Sequence, residues 1–249
     1  MSIVIKSDQE IEIMRQAGRI VANILEVLKS QVRPGIRTEE LDSIAARELE
    51  KWGAKSSFKG YRGFPATLCV SVNDEIVHGI PGKRVLYEGD IVSLDFGAIY
   101  MGFQGDAAIT VGVNHVTPEA ERLMETTEGA LKAGIAAART GARLGYISAA
   151  VQSYAESRGY SVVREYTGHG IGREMHEEPL ILNFGPPEQG PVLKKGMALA
   201  IEPMVNIGDW RTRVSDNHWT VLTIDGSLSA HFEHTVAVTD AEPEVLTVL

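Results

Sequence analysis

The sequence predicts an α+β fold, with helices packed on a curved and largely antiparallel sheet. Three observations carry this expectation: a long internal repeat, a helix pair opening each copy, and β-rich runs closed by short turns after each pair. The repeat is direct. Val32 to Ala54 aligns without gaps on Ala138 to Tyr160, so that Arg33, Gly35, Arg37, Glu50 and Gly53 recur 106 positions later as Arg139, Gly141, Arg143, Glu156 and Gly159. The echo continues beyond that block. His78-Gly-Ile-Pro81 matches His176-Glu-Glu-Pro179, the run ending at Asp95 matches the run ending at Glu202, and DAAITV from Asp106 matches EHTVAV from Glu233. A period of this length is too long for a solenoid and suits a duplicated unit. The 249 residues are therefore expected to form a single domain of two halves, roughly 1–113 and 114–249, around a shared core.

Taken in chain order, Ser7 to Glu10 has capping-box spacing, and Ile11, Met14, Ile20, Val21, Ile24, Leu25 and Leu28 then keep helical spacing up to Pro34-Gly35. A second helix follows from Thr38, with Leu41, Ile44, Ala45, Leu49 and Trp52 on one face and Gly53 as its stop. Ile91 to Val113 reads as a β-hairpin turning near Ile99 to Gly102, because β-rich segments flank a short turn containing glycine. The second half opens at Thr117-Pro118, with proline at a favoured first helical position, and its second helix ends near Gly159. MALAIEPMVNIG, TVLTIDGSLSA and EHTVAVTD read as later strands, while NFGPPEQGPV is a surface loop by composition.

Composition excludes several functions. The formal charge is −9, from 33 acidic and 24 basic residues without a basic run, so there is no electrostatic footprint for nucleic acid or an anionic membrane. Cys69 is the single cysteine, which rules out an intrachain disulfide and a cysteine-rich zinc knuckle. The first ten residues lack the pattern of a secretory signal, and no apolar run approaches membrane-spanning length. A soluble, cytoplasmic protein is expected.

The informative residues are acidic ones inside apolar strands. With the hairpin centred between Tyr100 and Met101, Asp95 and Asp106 fall opposite each other, where Cβ atoms of directly paired residues stand about 4.5–5.5 Å apart. Two carboxylates that close repel unless a cation lies between them. Their neighbours are apolar, their repeat counterparts Glu202 and Glu233 are also acidic, and a histidine-rich loop, TGHGIGREMHEEP, precedes Glu202. Four carboxylates plus one imidazole suit two divalent ions of the Mn, Fe or Co type and fit a closed structural zinc site poorly. Two such ions sharing a water make hydrolytic machinery.

The segments VNDEIVHGIP, DIVSLDFG, GFQGDAAITV, TGHGIGREMHEEP, GMALAIEPM and SLSAHFEHTV together resemble those of the type I methionine aminopeptidases, over essentially the whole chain. The resemblance implies the pita-bread fold, in the short form without an amino-terminal extension, and removal of the initiator methionine from nascent proteins whose second residue is small. It implies that Asp95 binds one metal, that Asp106 and Glu233 bridge two, and that His169 and Glu202 complete the other, with Mn, Fe, Co or Zn as the ion. It assigns Glu202 as the base, His176 as a donor to the developing oxyanion, and His78 as a contact of the scissile amide. The methionine side chain is expected among Phe58, Tyr61, Phe64, Cys69, Met175 and Trp219, a cup suited to a polarisable thioether. Phe58, Phe64 and Met175 depart from the family's frequent cysteine, tyrosine and phenylalanine. His115, His218, His231 and His234 are read as structural or surface residues. The expected partners are nascent polypeptide N-termini, with transient ribosome association, no membrane, and a monomeric state.

Two rival readings stand beside this one. A prolidase or Xaa-Pro aminopeptidase shares the five-ligand set but usually carries an additional amino-terminal domain. A non-catalytic pita-bread binding protein is expected to lose ligands, and Asp95, Asp106, His169, Glu202 and Glu233 are all present.

Overall fold

The structure, a computed structural model, describes residues 2–249. Helices α1 (Asp8–Gln31) and α2 (Thr38–Lys51) lead into strands β1 (Lys55–Ser56), β2 (Cys69–Val72), β3 (Glu75–Val77), β4 (Ile91–Tyr100) and β5 (Phe103–Gly112). Helices α3 (Pro118–Ala137) and α4 (Gly145–Glu156) open the second half. They are followed by β6 (Ser161–Val162), β7 (Gly168–Gly170), β8 (Glu177–Ile181), β9 (Ala198–Ile201) and β10 (Met204–Asn206). The last strands are β11 (Thr212–Val214), β12 (Val221–Thr223), β13 (Ser229–His231), β14 (Glu233–Ala237) and β15 (Glu244–Val245). The main sheet runs β1-β4-β5-β14-β9-β7-β8, with β2 also on β4 and β15 on β14, and every pairing in it is antiparallel. Helices on an antiparallel sheet make the protein α+β. Among the described residues, no helix is long and apolar enough to cross a membrane.

Local chemistry sets the helix boundaries. The Ser7 hydroxyl accepts from the Glu10 amide at 3.3 Å while the Glu10 carboxylate accepts from the Ser7 amide at 2.9 Å, the reciprocal bonds of a capping box. The Thr117 hydroxyl caps α3 by accepting from the Ala120 amide at 3.2 Å, with Pro118 at the first helical position. All seven apolar positions expected on α1 are buried. On α2 Leu41, Ala45 and Leu49 are buried and Ile44 is half-buried, but Trp52 is 45 % exposed, because the helix ends at Lys51 and Gly53, at φ +63°, turns the chain away before the indole reaches the core.

The backbone repeats what the sequence repeats. Gly35 donates to the Leu86 carbonyl at 2.8 Å and Gly141 to the Leu193 carbonyl at 2.9 Å, and both glycines take a φ near +89° that side chains disfavour. Single β-bridges join Arg37 to Val85 and Arg143 to Val192. Each helix pair thus clips to the chain just ahead of a central strand of its half, β4 in the first and β9 in the second. The alternation of the strands then sorts the sheet into two faces. Leu94, Phe96 and Ala98 pack with α1 and α2, and Leu199, Ile201 and Val236 pack with α3 and α4. Burying one such side chain contributes about 1.5–3 kcal/mol. The opposite face is left to Asp95, Gly97, Asp106, Ala108, Ala200, Glu233 and Thr235.

The hairpin is one residue out of the expected register on each side. Its turn is Met101-Gly102, both at positive φ (48° and 81°), so Tyr100 pairs with Phe103, Gly97 with Asp106 and Asp95 with Ala108. A two-residue loop of this kind matches the strand twist, whereas centring the turn one bond earlier does not use Gly102. Asp95 and Asp106 are therefore diagonal neighbours, not direct partners. MALAIEPMVNIG is also two strands, not one. Pro203 has no amide hydrogen to donate, and the chain leaves the main sheet there, β9 before it and β10 after it in a separate sheet with β13 and β6. The facing strand breaks at Phe232, between β13 and β14.

Candidate metal centre

Glu202 and Glu233 sit at those two paired breaks. The register that pairs Ile201 with His234 on one side of the break pairs Met204 with His231 on the other, which brings Glu202 and Glu233 face to face where both strands bend. In the first half Asp95 and Asp106 come from the intact β4–β5 hairpin. One row of the sheet runs Cys69, Asp95, Ala108, Glu233, and the next holds Gly97 beside Asp106 and Ala200 beside His169. Five donor residues from five strand segments reach one concave surface. The two halves are tied there by a hydroxyl: Thr235 accepts from the Asp106 amide at 3.0 Å and donates to the Asp106 carbonyl at 2.8 Å, where β14 exchanges β5 for β15.

The electrostatics need a cation. Asp95, Asp106 and Glu233 are buried, and one oxygen of each has no hydrogen-bond partner among the described residues. Burial, and then the neighbouring carboxylates, push the pKa values of Asp95, Asp106, Glu202 and Glu233 well above the ordinary carboxylate range. His169 adds a sharper test. Its Nδ1 lies 2.9 Å from the Gly170 carbonyl, which can only accept, so Nδ1 carries the proton and Nε2 a bare lone pair. That lone pair faces the Glu202 carboxylate at 3.5 Å. Two electron-rich atoms so placed fit a shared divalent ion, and the Asp106, His169 and Glu233 donors converge closely enough to hold one.

A cavity of about 140 Å³ opens beside this cluster. It is lined by all five donor residues, by His78 and His176, and by the six residues expected of the side-chain cup. The cup is mostly aromatic: Phe64 stands edge-on to Trp219 at 5.1 Å between ring centres and to Phe58 at 6.5 Å. Cys69 is buried directly opposite Asp95, and burial followed by the nearby carboxylates raises its thiol pKa well above normal, so it stays a neutral wall.

The two histidines flank the cavity differently. His78 takes a left-handed backbone, φ +59°, which a non-glycine residue holds only under constraint. Gly79 behind it lies against the Val70 backbone with no room for a Cβ, and Trp219 stands edge-on to its ring at 6.4 Å. Burial, and then His176, lowers its pKa to about 4, leaving a neutral imidazole. His176 is at the mouth, its outer edge in solvent and its inner faces stacked on Tyr61 at 5.4 Å and tilted over His169 at 4.2 Å. Partial burial, and then the Arg62 guanidinium, lowers its pKa as well. The Tyr61 hydroxyl is 2.9 Å from His176 Nδ1. When that hydroxyl donates, Nε2 keeps the proton and is free to donate toward the cavity.

Two residues near the site escaped the sequence reading. Arg62 joins the cavity lining from a left-handed turn, φ 49°, for which an arginine gives no signal. His231, read as structural or surface, is 1 % exposed and points at the carboxylates, with Nε2 3.6 Å from Glu202 and 3.8 Å from Glu233. The available signal was its position two residues before Glu233, which puts both on one strand face. His115 and His218 are exposed and outside the cavity lining, and His234 faces α3, its Nδ1 2.8 Å from the Thr247 hydroxyl.

Residues 12–240 match metallopeptidase family M24. The chain is 52 % identical to the methionine aminopeptidase of Clostridium acetobutylicum, covering 98 % of both chains. It is likewise 52 % identical to methionine aminopeptidase 1 of Bacillus subtilis, over 98 % of this chain and 99 % of that one. The crystal structure of a methionine aminopeptidase from Thermotoga maritima superposes with a TM-score of 0.98 at 45 % identity, covering all of both chains.

Proposed function

Because the chain belongs to metallopeptidase family M24, we propose that it is a metal-dependent aminopeptidase of the pita-bread fold that removes the initiator methionine from nascent proteins with a small second residue. The observation that carries this reading is the opening of one cavity onto both a five-residue donor cluster and a closed aromatic cup. Relatives at about half identity over the full length, themselves methionine aminopeptidases, support it over the proline-directed and non-catalytic readings.

A bound divalent metal supplies a Lewis acid and a water of lowered pKa. Asp95, Asp106, His169, Glu202 and Glu233 would hold it, and the proposal extends to two ions drawn from Mn, Fe, Co and Zn. Glu202, which lines the cavity with 13 % of its side chain exposed, takes the proton of the attacking water. His176, polarised through Tyr61, donates from Nε2 to the oxygen on which charge develops. His78, neutral and fixed by its strained backbone, contacts the scissile amide. Phe58, Tyr61, Phe64, Cys69, Met175 and Trp219 exclude water and take the thioether side chain. A bulky second residue collides with the cavity wall, so Gly, Ala, Ser, Thr, Val, Pro and Cys are accepted there.

The reading includes one catalytic domain of two halves, 1–113 and 114–249, a cytoplasmic enzyme acting as a monomer, and transient association with the ribosome. The net charge of −9 and the absence of a membrane-spanning helix among the described residues support its action on soluble chains. A panel of tripeptides tests the specificity. Met-Ala-Ser is cleaved, while Leu-Ala-Ser and Met-Leu-Ser are poor substrates. Equal turnover of Leu-Ala-Ser and Met-Ala-Ser rules out the proposed cup.

A further inference from the structure

His231 is buried, lies beside the donor cluster, and has no role in the chemistry described above. Neither of its ring nitrogens has a hydrogen-bond partner among the described residues. Buried imidazole nitrogens without partners are rare, and each calls for an explanation. The ring is not loosely placed, since the Thr110 hydroxyl accepts from the His231 amide at 2.9 Å and donates to its carbonyl at 2.7 Å, fixing the residue from both sides.

The distances are too long for hydrogen bonds and leave the donors close enough to converge on one ion. His231 Nε2 is 3.6 Å from Glu202 Oε2 and 3.8 Å from Glu233 Oε2. Both exceed the 2.7–3.2 Å usual for an N–H···O bond. Donors around a single cation, each about 2.0–2.2 Å from it, stand roughly 3–3.5 Å apart at tetrahedral or octahedral angles. Glu202 is moreover shared between two imidazoles: its Oε1 faces His169 Nε2 at 3.5 Å, and its Oε2 faces His231. Glu202, His231 and Glu233 form a second group of converging donors beside that of Asp106, His169 and Glu233.

We propose that His231 is a further protein ligand of this metal centre, its Nε2 joining Glu202 and Glu233 to give the centre a second imidazole donor. The consequence is a change in metal preference. Carboxylates suit Mn²⁺, whereas imidazole favours Zn²⁺, Co²⁺ and Fe²⁺. A centre with two imidazoles prefers the latter group more strongly than one with His169 alone. The inference rests on the metal-enzyme reading above, and its test does not involve peptide cleavage.

The test uses chelator-stripped full-length protein, wild type and His231→Gln, and measures dissociation constants for Zn²⁺, Co²⁺ and Mn²⁺ by calorimetry, with the visible spectrum of the Co²⁺ form. Glutamine keeps a similar shape and a hydrogen-bond donor but no imidazole. The expected result is a loss of about tenfold or more in Zn²⁺ and Co²⁺ affinity, a change under about threefold for Mn²⁺, and altered Co²⁺ bands. Equal weakening of all three ions, or an unchanged Co²⁺ spectrum, overturns the proposal. If the variant does not fold, ring ¹⁵N resonances of the wild-type protein are followed during Zn²⁺ addition. The Nε2 resonance of His231 moves on saturation, and a resonance that stays in place counts against coordination. A wild-type protein that binds none of the three ions removes the metal-enzyme reading itself, an outcome distinct from the others.

Discussion

Glu202, His176 and Tyr61 show how single side chains at this site can be separated by measurement. In the proposed mechanism Glu202 combines metal binding with proton transfer, so Glu202→Gln is expected to abolish turnover and to weaken metal binding, and substantial residual cleavage removes it from the mechanism. His176→Ala is expected to reduce kcat by roughly 10²–10³, the effect of losing one oxyanion donor. Tyr61→Phe keeps the stacked ring but loses the hydroxyl 2.9 Å from Nδ1. A hydrogen bond of about 1–1.4 kcal/mol corresponds to a loss of roughly 5–10-fold in kcat, with KM little changed, and a loss as large as that of His176→Ala contradicts the orienting role. The acidic residues were legible in the sequence because charge is conspicuous among apolar neighbours and because the repeat presents it twice. Arg62 and His231 were not, because whether a lone arginine or histidine turns inward depends on a left-handed turn and on a strand break that neither residue announces.

The amino-terminal segment acts on the site through a single buried ion pair. Lys6 donates to Glu177 at 2.6 Å, with side chains only 2 % and 9 % exposed, and the other Glu177 oxygen accepts from the amide of Arg173 at 3.0 Å and that of Glu174 at 3.3 Å. Glu177 adjoins His176, so the segment ahead of α1 braces the loop that carries His176, the proposed oxyanion donor. Removing one partner of a buried pair costs about 3–5 kcal/mol, reduced here because the two amides still serve Glu177. Lys6→Met is expected to lower the thermal midpoint and to reduce kcat more than KM. An unchanged kcat in a folded, less stable variant leaves the pair with a structural role only. At this scale the helices were legible from caps and spacing, while the strands were legible in existence but not in register. The Met101-Gly102 turn displaced the hairpin by one bond, and Pro203 split a continuous apolar run into strands of two sheets.

Across the molecule, the folded state concentrates four carboxylates and three histidines where burial withholds most of their solvation. The carboxylates bind protons more tightly in the metal-free folded state than in the unfolded chain, so their contribution to stability is complete below the unfolded values near 4 and is lost as pH rises through the raised folded values. The histidines act in the opposite sense. His78, lowered to about 4, and His169 and His231, lowered to about 3, are neutral when folded, so acid destabilises through them as the unfolded chain takes up protons around 6.5. Above about pH 7 the histidine contribution no longer varies and cannot offset that of the carboxylates. The thermal midpoint of chelator-stripped protein is therefore expected not to rise as pH is raised above 7, where the histidines are neutral in both states, and to fall for as long as the carboxylates titrate, while saturating Mn²⁺ or Co²⁺ raises the midpoint and flattens the dependence. A metal-free midpoint that rises over that range contradicts the buried-carboxylate account. The duplicated architecture was legible from the repeat, but the curvature that turns two hairpins into one concave site depends on pairing between distant strands.

The most direct measurement is the release of free methionine from Met-Ala-Ser by chelator-stripped protein, with and without added Mn²⁺, Fe²⁺ or Co²⁺, alongside Ala-Pro-Ser as control. The account predicts no release without metal, release from Met-Ala-Ser when metal is restored, and no cleavage of the control. Cleavage of Ala-Pro-Ser alone, or silence on both peptides with every metal, contradicts it.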